Sequence, residues 1–278
     1  MSDNPEIGQN VDVNGIGTNY ITAGSGTPLI LIHGSGPGVT AYANWRGVIP
    51  DFSQHFHCYA PDTLGFGYTD FPDDIDGFSM DRWVAHLIGF MDALGIAKAH
   101  FIGNSYGGAL TLALATRHPD RVGGIVLMGS AGRAEFQMTQ GLQEVWGYEP
   151  SIDNMRELMR TFAHDPSLVK EEIVRSRYEA SIRPGAHEKY SSLFPGPRQR
   201  WLTELSTSDD KLSAMPHPTL IVHGREDVIV PVERSIRFNE VIPNSELHVF
   251  GNCGHWTQIE MRERFVELVI PFLKRIAL

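Results

Sequence analysis

The stretch from Ala99 to His118, AHFIGNSYGGALTLALATRH, constrains the fold more than any other part of the chain. An apolar strand pattern runs directly into an apolar helix pattern, and the turn between them carries Ser105 flanked by Gly103 and Gly107. This is the G-x-S-x-G pattern, in which a strained strand-to-helix turn raises a serine hydroxyl above the sheet. The N-terminus of the following helix would offer unpaired N–H groups to developing negative charge. Glycines can serve a turn alone, but the position between strand and helix predicts that Ser105 is a nucleophile.

The rest of the chain alternates between strand and helix patterns, which is typical of βαβ units and a mostly parallel sheet. Asn14-Gly15 predicts a two-residue hairpin near the N-terminal end. PLILIHG is a continuous apolar strand of the kind found inside a sheet that is covered on both faces. Between 131 and 215, helix patterns alternate with Pro- and Gly-containing loops, and no apolar strand is evident. We therefore predict an α/β fold with core segments at 1–130 and 216–278 and a helical lid at 131–215.

Composition excludes several classes of protein. Apolar residues make up 42% of the 278 residues and charged residues 20%, which is ordinary for a globular protein, and the net charge of −10 argues against nucleic-acid binding. Cys58 and Cys253 form no CxxC and no metal-ligand spacing, so free thiols, no metal and no cofactor are expected. The N-terminal stretch is acidic and polar rather than a signal peptide, and no apolar run reaches the about 18 residues that span a bilayer. We expect a cytoplasmic protein with no membrane partner.

A serine nucleophile needs a base, and the positions of the twelve histidines along the chain select among them. His255 follows the last strand in the glycine-rich loop GNCGHW, where its ring can point over the sheet edge. His248 lies within the strand pattern ELHVF, and His33 and His223 each end an apolar strand before a glycine. Those three positions favour structural roles. We therefore predict His255 as the base.

The acid is expected in the loop after the preceding strand, within TLIVHGREDVIVP. That loop supplies Asp227 and Glu226, of which Asp227 is preferred because it lies further from the strand, while Glu226 stays open. Asp62 precedes the serine in the chain, and Asp209 and Asp210 precede the strand, so they suit the role less well. The order serine, aspartate, histidine is that of an α/β-hydrolase.

An oxyanion hole needs two N–H donors that face the reacting carbonyl oxygen. One is expected from the backbone N–H of Tyr106, the residue after the nucleophile, and the other from the loop HGSGPG, with the N–H of Ser35 as the candidate. The same glycine-rich run could suggest phosphate binding, but neither GxxxxGK[ST] nor GxGxxG is present.

With these residues assembled, the chain resembles the meta-cleavage product hydrolases, α/β-hydrolases that split carbon–carbon bonds in bacterial aromatic-ring degradation. The resemblance runs over nearly the whole chain through HGSGPGVTAYANW, PDTLGFGYTD, GNSYGG, SIRPGAHE and GHWTQIE. It implies that Asn44, Asn104 and Arg183 hold the carboxylate and neighbouring oxygen of a 2-hydroxy-6-oxo-hexa-2,4-dienoate, while Trp256 packs on the dienoate. The alternatives are a solvated lid arginine for Arg183, a helix cap for Asn44 and core packing for Trp256.

The resemblance also implies a reaction: hydrolysis of the C5–C6 bond to 2-hydroxypenta-2,4-dienoate and a carboxylic acid, with a small C6 substituent favoured. The family often forms dimers or larger assemblies, so a homo-oligomer is expected. A carboxylesterase of the same fold is the main alternative, and a non-catalytic small-molecule binder is a further one. Apolar wall residues are expected around the C6 end, drawn from Ala131, Phe136, Met138, Leu142, Val145, Trp146, Val228 and Ile229.

Overall fold

One mixed sheet organises the fold in the computed structural model, which describes residues 4–75, 77–133 and 137–278. Its eight strands lie in the order β1-β2-β4-β3-β5-β6-β7-β8. The pairs β1–β2 and β2–β4 are antiparallel, and every other neighbouring pair is parallel. The strands are β1 Gln9–Val13, β2 Ile16–Ala23, β3 Pro28–Ile32, β4 His57–Pro61, β5 Ala99–Asn104, β6 Val122–Met128, β7 Thr219–Gly224 and β8 Ser245–Phe250.

The first two strands form the hairpin that the sequence predicts. Asn14 and Gly15 join them with φ angles of 55° and 86°, the left-handed conformation that a tight hairpin turn requires. In the central strands β5, β6 and β7 every residue is buried, because helices cover both faces of a parallel sheet. The predicted α/β fold with a mostly parallel sheet is confirmed.

Helices flank the sheet and fill the segment between β6 and β7. They are α1 Ala41–Trp45, α2 Ile49–Phe52, α3 Met80–Ala93, α4 Tyr106–Arg117, α5 Gln140–Trp146, α6 Ile152–Phe162, α7 Glu171–Ser181, α8 Ala186–Leu193, α9 Gln199–Glu204, α10 Asp209–Ser213, α11 Val232–Val241, α12 Thr257–Glu260 and α13 Arg262–Lys274. Helices α5 to α10 lie between β6 and β7, where the described residues contain no strand. We call this group of six helices the lid.

Two apolar layers sandwich the sheet. Along β3, Leu29 and Leu31 pack into one layer and Ile30 and Ile32 into the other, as the two-residue period of a strand requires. One layer contains apolar residues of α1, α2 and α13. The other contains residues of α3 and α4 and continues into the lid. The lid therefore shares the main core, which fixes its position over the carboxyl ends of the strands.

Two further features concern membranes and metals. None of the helices in the described ranges combines the length and apolarity that crossing a bilayer would need. Within those ranges no group of three or more His, Cys, Asp or Glu side chains is arranged to hold a metal ion.

Candidate active site

Ser105 sits at the sharp turn between β5 and α4. Its backbone is strained, with φ 54° and ψ −114°, which is rare for a residue other than glycine. A Cβ at Gly103 would lie 2.5 Å from the carbonyl oxygen of Gly107, and one at Gly107 would lie 2.4 Å from that of Ile32. Both flanking positions therefore admit only glycine, and the surrounding strands hold the serine in its strained conformation.

His255 and Asp227 form a buried hydrogen-bonded pair. The Nδ1–H of His255 donates to Oδ2 of Asp227 over 2.6 Å, which leaves Nε2 as the basic nitrogen of the ring. Oδ1 of Asp227 accepts the backbone N–H groups of Ile229 and Val230 over 2.8 and 2.9 Å. Burial alone would raise the pKa of Asp227, but the His255 charge and the hydrogen bonds from His223 and His255 hold that pKa well below its ordinary value. Asp227 is thus a fixed carboxylate that orients the imidazole.

The two acids left open by the sequence have different partners. Glu226 pairs with Arg225 and accepts the backbone N–H of Cys253, so it does not bond the imidazole. His223, in strand β7 four residues before Asp227, lies 3.3 Å from Oδ2 of the aspartate and donates from Nε2 to the carbonyl oxygen of Val230. Of the two candidates, Asp227 alone bonds the imidazole, and His223 adds a contact to it that the sequence does not predict.

Ser105 and His255 line the same cavity, which measures about 20 Å³ and lies between the sheet and the lid. The other residues that line it are Gly34, Ser35, Gly36, Val39, Asn44, Asn104, Leu142, Val145, Phe162, Arg177, Ile229 and Trp256. A larger cavity of about 220 Å³ adjoins it, and Asn44, Arg177 and Trp256 line both. These three side chains separate the inner space from the outer one.

The loop predicted to carry the oxyanion donor lies beside the nucleophile. A Cβ at Gly34 would lie 3.6 Å from the Cβ of Ser105. His33 anchors this loop: its Nδ1–H donates to the carbonyl oxygen of Gly34, and its Nε2 accepts the N–H of Thr63. Burial lowers the pKa of His33 to about 4, so the ring is neutral and holds one tautomer. His33 is structural, as the sequence indicates.

Ser35 and Tyr106, the two predicted oxyanion donors, differ in their surroundings. Tyr106 is the first residue of α4, so its N–H has no acceptor within the helix. Two lid side chains bind Ser35: the indole N–H of Trp146 donates to its hydroxyl over 3.0 Å, and the Tyr190 hydroxyl donates to its carbonyl oxygen over 3.1 Å. The lid therefore fixes the oxyanion loop as well as covering it.

Asn44, Asn104 and Trp256 all reach the inner cavity. The Asn44 amide nitrogen is buried and has no hydrogen-bond partner among the described residues, whereas Thr40 caps α1, so Asn44 is not the helix cap. The Asn104 amide donates to the carbonyl oxygen of Met128 over 3.3 Å. The Trp256 ring stacks on Phe162 at 5.0 Å, with 10° between the ring planes, and still borders the cavity.

Arg183 is not brought to this cavity. Its guanidinium donates to the carbonyl oxygens of Gly67 and Ala180 and lies 3.8 Å from the centre of the Tyr68 ring. It lines another space, of about 290 Å³, whose lining includes neither Ser105 nor His255. The reason is local: α7 ends at Ser181, so Arg183 follows the helix and turns toward the loop at Gly67.

Arg177, six residues before Arg183 and within α7, is the arginine that lines the inner cavity. Its Nε–H donates to the carbonyl oxygen of Pro37 over 2.7 Å, and no carboxylate of the described chain lies within 4.0 Å of its guanidinium. Burial lowers the pKa of Arg177 to about 10, and the group still carries its positive charge at neutral pH. The terminal nitrogens are thus available to an anionic ligand, which is where the sequence-based assignment of Arg183 needs correction.

The glycine-rich run HGSGPG also receives α7. A Cβ at Gly36 would lie 3.0 Å from a terminal nitrogen of Arg177, and one at Gly38 would lie 2.6 Å from the Arg177 carbonyl oxygen. These glycines let the lid helix approach close enough for Arg177 to reach the cavity. The sequence pattern predicts only an oxyanion role for this run, because the approach of α7 depends on how the lid packs.

Several of the predicted wall residues lie at the cavity and others do not. Leu142, Val145 and Ile229 line it, together with Phe162 and Val39, which the sequence did not indicate. Val228 is 56% exposed. Ala131, Met138 and Trp146 are not among the lining residues, and Phe136 lies outside the described residues.

Comparison with known proteins agrees with this geometry. The family model described as alpha/beta hydrolase fold matches residues 27–261, which is most of the chain. The chain belongs to the α/β-hydrolase family. Its strand order, nucleophile elbow and inserted lid are those of this α/β-hydrolase family, and the order Ser105, Asp227, His255 along the chain is the one the family uses.

Within the α/β-hydrolase family, the chain is most informatively compared with relatives that are more than 50% identical to it. The 2-hydroxy-6-oxo-2,4-heptadienoate hydrolase of Pseudomonas putida is 52% identical over 270 residues, which cover 97% of each chain. The 2-hydroxymuconate semialdehyde hydrolase of a Pseudomonas species is 52% identical over 269 residues, covering 97% of this chain and 94% of the relative. The solved structure of a mutant meta-cleavage product hydrolase from Pseudomonas fluorescens IP01, complexed with acetates, is 54% identical, with a TM-score of 0.96 and coverage of 98% and 99%. The resemblance to meta-cleavage product hydrolases is confirmed.

Proposed function

We propose that this enzyme hydrolyses the C5–C6 bond of 2-hydroxy-6-oxo-hexa-2,4-dienoates, the ring-fission products of catechols. The relatives at 52% identity carry names for this class of substrate. The single observation that carries the proposal is the shared cavity: Ser105 and His255 line it together with Arg177, Asn44 and Asn104. A cation and two amides beside a nucleophile suit a substrate that has a carboxylate at one end and a carbonyl at the other.

Each end of the substrate has its own part of the site. Arg177 binds the C1 carboxylate, because a planar guanidinium offers paired donors to a carboxylate. Asn44 and Asn104 hold the neighbouring C2 oxygen, and the Trp256 indole packs on the flat conjugated chain. Ser105 then faces the C6 carbonyl, with the N–H groups of Ser35 and Tyr106 as the oxyanion donors.

The reaction needs an electron sink before the carbon–carbon bond can break. The bound dienol first ketonises: the 2-hydroxyl proton is lost and C5 gains a proton, so that C5–C6 lies beside a conjugated ketone. The Ser105 hydroxyl, or a water that Ser105 activates, then adds to C6, and His255 takes the proton while Asp227 orients the ring. Collapse of the adduct breaks C5–C6, and the electron pair passes into the enone, whose C2 oxygen takes a proton from His255 to give 2-hydroxypenta-2,4-dienoate. A water adduct leaves the carboxylic acid directly, whereas a Ser105 adduct leaves an acyl-serine that a water molecule then hydrolyses to the acid. One water is consumed.

The size of the cavity supports a small C6 substituent. Its free volume is about 20 Å³, little more than the roughly 10–15 Å³ that one buried water molecule needs. Leu142, Val145 and Ile229 border the space and supply the apolar wall expected for hydrogen or methyl at C6. Formate or acetate is then the acid released.

The test compares two substrates in one assay. The yellow ring-fission product of 3-methylcatechol is mixed with the enzyme, and loss of its colour is followed in parallel with release of nitrophenol from p-nitrophenyl acetate. Rapid bleaching, abolished in Ser105→Ala, is the expected result. Rapid turnover of the ester alone would instead identify a carboxylesterase, and binding of the dienoate without turnover of either compound would identify a non-catalytic binder.

The quaternary and cellular expectations stay predictions. We propose a homo-oligomer, a dimer or larger, acting in the cytoplasm, with the lid as a unit from 131 to 215 between core segments 1–130 and 216–278. Light scattering coupled to gel filtration would refute the oligomer by giving the mass of one 30.9 kDa chain.

A further inference from the structure

Glu260, at the end of α12, binds two segments of chain with one carboxylate. Its Oε1 accepts the backbone N–H of Gly254 over 2.8 Å, in the loop that carries the catalytic histidine. Its Oε2 accepts the N–H groups of His164 and Asp165 over 2.8 and 3.2 Å, in the segment that follows lid helix α6. Hydrogen bonds to a charged acceptor are stronger than neutral ones, so Glu260 joins the lid to the histidine loop.

The same two segments also contact each other directly. The backbone N–H of His255 donates to the carbonyl oxygen of Phe162 over 2.8 Å. A Cβ at Gly254 would lie 2.7 Å from the Phe162 carbonyl oxygen and 2.8 Å from the His164 nitrogen. The Phe162 ring lies 5.6 Å from the His255 ring. The backbone that sets the position of the imidazole is therefore built against the lid.

A continuous path leads from this junction to the proposed carboxylate-binding arginine. Helix α6, which ends at Phe162, packs on α7, which carries Arg177. A substrate that binds Arg177 therefore also restrains α7 and α6. The segment after α6 is hydrogen-bonded to Glu260, which also bonds the histidine loop. Coupling of this kind needs contiguous packed elements, and here every step is a contact between described residues.

We propose that Glu260 is a positioning residue for His255. When a substrate binds the lid through Arg177, the hydrogen bonds of Glu260 couple the position of the lid to the position of the histidine loop, and so align the His255 ring. The inference rests on the proposed function, because it takes Arg177 as the substrate-binding cation. Glu260 touches neither substrate nor the reacting atoms. It acts through the backbone on both sides of the site.

The test uses Glu260→Gln with Glu226→Gln as its matched control. Both variants replace a carboxylate that accepts an N–H from the histidine loop, since Glu226 accepts that of Cys253 over 3.0 Å. Only Glu260 also binds the lid segment. An amide at 260 keeps one acceptor oxygen and turns an NH2 group toward the N–H donors of the other segment, which releases it.

We expect kcat on the dienoate to fall about tenfold or more in Glu260→Gln with KM changed less than about twofold, since lost hydrogen bonds to a charged group misalign the base. Glu226→Gln should stay within about twofold of wild type in both constants. The deciding measurement is a cycle with Arg177→Met. If Arg177 and Glu260 act along one path, breaking the path at one residue already removes the effect of the other. The variant that carries both Glu260→Gln and Arg177→Met should then lose little more kcat than the worse of the two single variants.

Two results would overturn the proposal. One is the same kcat in Glu260→Gln and Glu226→Gln. The other is a double variant whose fold-loss of kcat equals the product of the losses of Glu260→Gln and Arg177→Met, as independent sites would give. If Glu260→Gln does not fold, Glu260→Asp replaces it, because the shorter carboxylate keeps the charge but cannot reach both segments. Failure of the proposed function is seen separately, as wild-type enzyme that does not bleach the dienoate. The ester p-nitrophenyl acetate has no carboxylate for Arg177 to hold, so Glu260→Gln should lose less kcat on this ester than on the dienoate, and an equal loss on both substrates would also overturn the proposed coupling.

Discussion

Replacing each of the two candidate arginines by methionine, one at a time, tests most directly which of them binds the substrate carboxylate. Arg177→Met removes the guanidinium that lines the cavity and keeps a long apolar side chain of similar reach. Arg183→Met is the matched control in the same lid, six residues further along the chain. The guanidinium of Arg183 donates to the carbonyl oxygen of Gly67 and does not line the cavity. If the resemblance were followed by sequence position alone, the second substitution would be the damaging one.

The expected size of the effect follows from the hydrogen bonds available to Arg177. Its Nε–H is already given to Pro37, so the two terminal nitrogens remain for the substrate carboxylate. Two hydrogen bonds to a charged group, at about 1.5–3 kcal/mol each, sum to about 3–6 kcal/mol. At about 1.4 kcal/mol per tenfold this is about 10²–10⁴ in kcat/KM. We expect the lower half of that range, because Arg177 is only half-buried and Asn44 and Asn104 continue to hold the same end of the substrate.

The assay measures kcat/KM on the dienoate and on p-nitrophenyl acetate for wild type and both variants. Arg177→Met should lose about 10²–10³ on the dienoate and stay within about threefold on the ester, which has no carboxylate to bind. Arg183→Met should stay within about threefold on both substrates but unfold at lower temperature, because it loses its bond to Gly67 and its contact with the Tyr68 ring. A large loss on the dienoate in Arg183→Met, with Arg177→Met near wild type, would refute the assignment.

Two further predictions concern the catalytic acid and the stability of the fold. Asp227→Asn should lower kcat about 10³–10⁴-fold, because an amide neither fixes the imidazole tautomer nor stabilises its charge; a loss below about tenfold in steady-state bleaching would contradict this. Burial lowers the pKa values of His33, His86 and His100 to about 4, so below pH 6.5 the unfolded chain binds more protons and the free energy of unfolding falls, by up to about 3 kcal/mol for each histidine. Asp62 acts oppositely, since burial raises its pKa to about 6, but one group does not offset three. Urea denaturation at pH 7, 6 and 5 measures the trend, and greater stability at pH 5 than at pH 7 would be inconsistent with it.

The core of the site could be predicted because its determinants are local. The turn at Ser105 follows from two glycines between a strand and a helix, and both are required by contacts below 3 Å. His255 and Asp227 follow from chain order, since each occupies the loop after a strand at the same edge of the sheet. The hairpin at Asn14-Gly15 is likewise determined locally, because these two residues adopt the positive φ angles that the turn requires. Such features need no knowledge of how distant helices pack.

The position of the arginine could not be predicted in the same way, because it depends on how the lid packs. The motif SIRPGAHE draws attention to Arg183, but whether a lid side chain points inward depends on the face that its helix buries. One signal was available: in α7, Val174, Arg177 and Ser181 recur at the spacing of one helix face, and Val174 and Ser181 are buried. A charged residue within a buried stripe is the observation that would have indicated Arg177.

The lid is better understood as part of the catalyst than as a cover over it. Trp146 and Tyr190 both contact Ser35, so two lid side chains hold the proposed oxyanion loop. The segment after α6 fixes the histidine loop through Phe162 and Glu260. Oxyanion donors and base are effective only when held in place before the reaction, since reorganisation during the reaction costs free energy. Removing the lid should therefore depress kcat on the carboxylate-free ester as well as on the dienoate, a result that a lid serving only to bind substrate would not produce.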